Sequence, residues 1–436
     1  MKASGLVVAI VALGAIGYSI SKQKLVTFTY DGKLTNFPNV PFRMIVAKGV
    51  TKIESNAFYN CPNLVVADIP EGVTIIGNSA FQYCRSLKTV SLPDSLEIIQ
   101  YEAFANCGSL KAIKIPKGVT SISDYVFEGC SSLKDVEIPE GVTSIGGRAF
   151  FQCRALKKLV LPDTLTSIGN NAFTDCKALT NINIPYLVTS IGSQSFFRCS
   201  SLTTIVLPES VTSIGEYAFD NCASLKTINI PSGVTSIGLA VFYDCTSLTD
   251  VKITSGLTSI SKRMFYKCNS LKTVVLPKSV KSNSPDEEII IGDTTFSGCT
   301  SLKTINIPEG ITSIGKYAFD NCNSLTRVVL PDSLTSIEVA AFANCQSLKT
   351  INIPTSVTSI SEYLFYGCRS LTTITIPDGV ESIGKGAFYI CTSLTTINIP
   401  TSVTSIGDNA FYGCTSLKPF EIPATVTSIG EGIFDK

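Results

Sequence analysis

The feature that most constrains this chain is a spacing. Sixteen cysteines run from Cys61 to Cys414 at intervals of 23 residues, with one interval of 31 between Cys268 and Cys299. A fixed period of this length marks a solenoid. Each unit is too small to bury its own apolar face, and stacking joins the faces into one core. The 436 residues therefore read as one long body, not as a string of separate domains.

One unit, residues 225–247, reads LKTINIPSGVTSIGLAVFYDCTS. Ile228 and Ile230 share one face of a strand by two-residue alternation, and Leu225 opens it. Pro231 ends the strand because it cannot donate to a ladder. Proline holds that column in 15 of 16 repeats, which makes it a regular stop. Val234 and Ile237 point inward, and Thr235 and Ser236 form an outer rim. Gly238 turns the chain. Gln100, Ser123, Ser261, Glu338 and Ser361 occupy the same column, so a left-handed backbone is not demanded there. Phe242 and Cys245 are three residues apart, the spacing of one helical turn facing the core. The expected architecture is a solenoid of α/β type with about 16 coils. It carries a parallel β-sheet on its concave face and short helical turns and loops on the other side. At a strand spacing of about 4.8 Å the body would be on the order of 75 Å long.

Several chemistries are excluded by what is missing. The chain has no histidine, which removes Ser-His and Cys-His nucleophile pairs and every His-ligated metal site. No two cysteines have the close spacing of a zinc or redox motif. They read as a column of buried free thiols, one per repeat. Net charge is +1, so no global field draws nucleic acid or an anionic membrane. No enzyme activity, cofactor or metal is expected. Asp286, Glu287 and Glu288 are paired carboxylates, but their Pro-containing segment is a poor preorganised site.

Residues 1–24 have a positive start and an apolar run, which fits a cleaved signal peptide or a retained N-terminal membrane anchor. Membrane contact would then come only through residues 5–20. Residues 25–44 carry an Asp-Gly turn and are expected to form a capping strand or hairpin. The solenoid proper is residues 45–436. The repeat stops short at Lys436, so that end is expected to be covered or continued.

Binding is the expected role, and the exposed strand positions are its candidates. Asn183, Asn229, Asn306, Asn352 and Asn398 recur two residues before the proline column, interleaved with valines. Thr227, Thr304 and Thr350 recur four residues before it. A broad low-charge surface results, although threonine and valine are also ordinary strand residues. One place breaks the period: an insertion at residues 281–288 that includes Asp286, Glu287 and Glu288. The repeat before it carries Lys252, Lys262 and Arg263, a basic patch ahead of an acidic loop. Insertions in repeat proteins go to the surface, where they either bind or are merely tolerated.

The recurring unit IPxxVTSIGxxAFxxCxSLxxI resembles the BspA-type leucine-rich repeats over residues 45–436. The resemblance implies a leucine-rich-repeat solenoid without catalytic residues. It implies a secreted or cell-surface protein that adheres to host matrix proteins or other cells. The alternative is a structural scaffold subunit of a membrane-associated assembly, with neighbouring subunits as partners.

Overall fold

A computed structural model describes residues 25–33, 36–253, 257, 259–278, 280 and 289–434. The signal or anchor at residues 1–24 and the insertion at residues 281–288 lie outside the described residues, and so do Asp286, Glu287 and Glu288.

Most coils contribute two strands and a turn segment. The longer strand precedes the proline column, as in Thr227–Ile230. The shorter one follows it, as in Ser236–Ile237. Both stack in parallel with a one-repeat offset, so Thr227 pairs with Asp250 and Ser213 with Ser236. Parallel pairing follows from the repeat itself, because every coil runs in the same direction. The inward positions are buried as their apolar spacing requires. Leu225, Val234, Phe242 and Cys245 are fully covered, and Ile237 is the most exposed of the set at 7 %. The sequence column thus becomes a continuous core.

The helical turns expected between phenylalanine and cysteine do not form, and no helix occurs among the described residues. The reason is where the amides go. The N–H groups of Asn56, Phe58 and Asn60 donate to the carbonyls of Asn78, Ala80 and Gln82 in the next coil at 2.9, 2.7 and 2.8 Å. A helix would spend those amides inside its own turn. The segment is instead a run of tight turns, with Cys61 N–H donating to Phe58 at 3.2 Å. The residues two before and two after the phenylalanine that stands three before each cysteine take a left-handed backbone, as Tyr217 (φ 55°) and Asn221 (φ 57°) do around Phe219.

This arrangement places the phenylalanine rings in one stack. Phe319 and Phe342 have centroids 5.1 Å apart and near-parallel planes at 4°. The widest steps, Phe342 to Phe365 and Phe411 to Phe434, are 6.0 Å. The cysteines lie beside them and do more than fill space. The Cys245 Sγ–H donates to the Phe219 carbonyl of the preceding coil at 3.1 Å. That oxygen also accepts from the Cys222 amide at 3.1 Å. The thiol therefore satisfies the second lone pair of a buried carbonyl.

Glycine after the short strand answers to room, not to φ. A Cβ on Gly238 would lie 2.5 Å from the Glu216 nitrogen of the previous coil. Where the column holds serine, the hydroxyl turns back to the preceding coil, as Ser123 Oγ does to the Ile99 carbonyl at 2.6 Å.

Ahead of the repeats, Val26–Tyr30 and Phe42–Val46 pair in parallel, so they are not a hairpin. The second of these strands pairs with Leu64–Asp68 of the first coil. Phe37 packs on Phe58 at 5.2 Å, which puts an aromatic cluster against the first ring of the stack. The long interval does not shift the columns. Ile260 pairs with Ile291, and Cys299 Sγ reaches the Phe265 carbonyl at 3.2 Å.

Candidate partner-binding surface

The long strands present alternate side chains to solvent, because their neighbours are committed to the core. Asn183, Asn229, Asn306, Asn352 and Asn398 all lie exposed on this face, with Thr227, Thr304, Thr350 and Lys252. Register brings some of them together. Asn229 pairs with Lys252, and Lys252 with Val275. Asn306 pairs with Val329, and Asn352 bridges to Thr375, which pairs with Asn398. Between the asparagines stand exposed valines, Val160 at 81 % and Val206 at 65 %. The surface therefore alternates amide and bare aliphatic groups from coil to coil.

Two shallow cavities lie on this face. One of about 650 Å³ is lined by Thr273, Val275, Thr304, Asn306, Lys278 and Glu309, among others. The other, about 460 Å³, is lined by Thr350, Asn352, Thr373 and Thr375. Both are bordered by Arg327 and Val329, so the two adjoin at that coil. Arg327 was not among the residues the sequence singled out. Its signal is present: it stands in a column that holds threonine in most neighbouring coils.

Lys252, Lys262 and Arg263 do not form one patch. Lys252 stands on the long strand Asp250–Ile253. Lys262 and Arg263 follow the short-strand position Ile260 and belong to the turn segment. Lys262 pairs with Asp293 at 2.9 Å. Burial works against the Asp293 charge, but hydrogen bonds from the Lys262 side chain and the Lys316 amide hold its carboxyl below the usual range. Arg263 is one of the left-handed residues beside Phe265, with φ 57°.

Comparison with known proteins agrees with the coil geometry. A family model described as "BspA type Leucine rich repeat region (6 copies)" matches residues 51–180, 166–286, 281–360 and 312–436. A solved leucine-rich repeat protein from Bacteroides ovatus is 28% identical, with a TM-score of 0.57, covering 96% of this chain and 99% of its own. A leucine rich cell surface protein from Faecalibacterium prausnitzii is 29% identical, covering 93% and 87% respectively, with a TM-score of 0.44. No curated protein matches the chain. With the repeat model matched in overlapping stretches from residue 51 to residue 436, the chain belongs to the BspA-type leucine-rich repeat family.

Proposed function

We propose that this is a secreted or cell-surface adhesion protein that binds protein ligands along its long-strand face. The observation that carries this is the pair of shallow cavities that adjoin at Arg327 and Val329, on a stretch of the face rich in threonine, asparagine and valine. Such a face offers donors, acceptors and bare methyl groups on rigid strands, with one guanidinium as an anchor. Arginine is enriched among residues that dominate protein interfaces. A leucine-rich cell-surface protein among the similar structures agrees with this placement.

The test is binding to a panel of immobilised extracellular-matrix proteins. The protein should bind at least one of them. Arg327→Glu combined with Asn352→Arg should weaken that binding at least tenfold, about 1.4 kcal/mol, with an unchanged melting temperature. Lack of binding to any matrix protein would refute the adhesion reading. Full binding by the double variant would refute the choice of face.

A further inference from the structure

The first exposed position of the long strand, one residue after the strand leucine, carries a second pattern. In four consecutive coils it is Lys88, Lys111, Lys134 and Lys157. All four are exposed, and none takes part in an ion pair among the described residues. They are true neighbours: the Lys134 amide donates to the Lys111 carbonyl at 2.8 Å. The phenylalanines of these coils are 5.2, 5.9 and 5.5 Å apart. The four ammonium groups thus stand on strands spaced about 5 Å apart.

Like charges opposite one another on adjacent strands destabilise a sheet. The same column shows a cheaper solution elsewhere. At Thr180, Thr203, Thr249 and Thr326 the hydroxyl donates to the preceding coil's carbonyl, between 3.0 and 3.3 Å. Coils with lysine give up that bond and accept repulsion. Arg85, Arg154 and Lys158 lie within four residues of this column in the same coils and Lys177 in the coil that follows; the acids on the strands that carry the lysines are Asp135 and Glu137, and Glu137 faces Lys114 at 3.8 Å.

We propose that this strip binds a linear sulfated polysaccharide. Such a chain carries sulfate and carboxylate groups at short intervals, which complement a ladder of ammonium groups. Between the cationic columns stand Ser86, Ser109 and Ser132, which can hydrogen-bond sugar and sulfate oxygens. The strands that carry the four lysines hold no aromatic residue, as base stacking of a single-stranded nucleic acid would favour; Tyr83 stands beside them, beneath the Arg85 guanidinium. This strip is separate from the Arg327 cavities and its ligand is of another class.

The test uses the full chain, immobilised heparin and a heparin octasaccharide in solution. Wild-type protein should be retained and released by salt, as screening of exposed charges requires. Lys88→Thr, Lys111→Thr, Lys134→Thr and Lys157→Thr together should weaken octasaccharide binding at least tenfold. Threonine is what the column holds elsewhere, so the melting temperature should be equal or higher; the matching glutamine variants guard against a local folding effect. Lys272→Thr, Lys303→Thr and Lys349→Thr together should leave binding unchanged, and Arg327→Glu should do the same. Full binding by both the threonine and glutamine variants would overturn the proposal. So would equal loss in the Lys272, Lys303 and Lys349 control, equal binding of desulfated heparin, or tighter binding of a single-stranded oligonucleotide of equal charge.

Discussion

Each cysteine in this solenoid stands for a thiol that is both packing and hydrogen-bond donor. Burial pushes the Cys245 thiol well above its usual range, and the neighbouring thiols Cys268 and Cys222 add to that. A buried neutral thiol is a poor nucleophile. A thiol-specific reagent should therefore leave the native protein unlabelled, except at the half-buried Cys414, and label all sixteen after denaturation. Cys222→Ala removes a cross-coil bond and leaves a void, so it should cost about 1–3 kcal/mol in urea unfolding. Another residue-scale effect is set by Asp220, whose carboxyl burial pushes up to about 6, with Asp244 adding and the Asn221 hydrogen bond and Arg198 opposing. The folded chain holds that proton more tightly than the unfolded one. Its stabilising contribution is thus complete below about pH 4 and is lost as pH rises through about 6. Asp220→Asn should raise the melting temperature at pH 7.5 more than at pH 4.5, a difference thermal scans at both values would show. Equal shifts at the two values would sink this assignment.

At the scale of the element, the strands were legible and the turns were not. Ile228, Ile230, Val234 and Ile237 declare their side by spacing alone, and the core takes all four. The three-residue step from Phe242 to Cys245 fits a helical turn and a tight turn equally well. What decides between them is a bond to another coil, which no single repeat contains. The left-handed residues are obscure for the same reason. Arg198, Tyr217 and Ile390 all adopt φ between 55° and 58°, although none is a usual choice for that region. Cross-coil bonding overrides their preference, so residue type there carries little signal. The glycine column is the converse case, where residue type reports a distance. Gly238→Ala puts a methyl group against the Glu216 backbone and should lower stability by about 1–3 kcal/mol, measured by urea unfolding. A loss no larger than that of an exposed Thr235→Ala control would refute the steric account.

For the whole molecule, the charge total was misleading in one respect. A net +1 is a sum, and it conceals sorting by column. Lysine gathers where the long strand begins. Glu71, Asp94, Glu140 and Asp163 gather just past its proline. The Arg327 cavities were hidden similarly, because only stacking shows which coils share a depression. The stack also predicts that stability is held locally. Coils contact only their neighbours, so internal ones are held from two sides. Amide hydrogen exchange should be slow and uniform through the coils around Phe150–Phe219, and Phe219→Ala should speed it most in the two adjoining coils. Equal acceleration in distant coils would refute nearest-neighbour stability.

The one-repeat offset of the strand pairings between regular coils has a further consequence, for the search the chain makes as it folds. Each new coil closes a loop of 23 residues onto the coil before it, except where Ile260 pairs with Ile291 across 31. A separation of 23 in 436 residues gives a relative contact order of about 0.05, below that of most helical bundles and far below other sheet proteins. The entropy of closure is thus the same for the fifteenth coil as for the second. Length in this architecture is free to change without slowing assembly, and a gene that gains or loses a repeat alters the reach of the surface while leaving each folding step as it was.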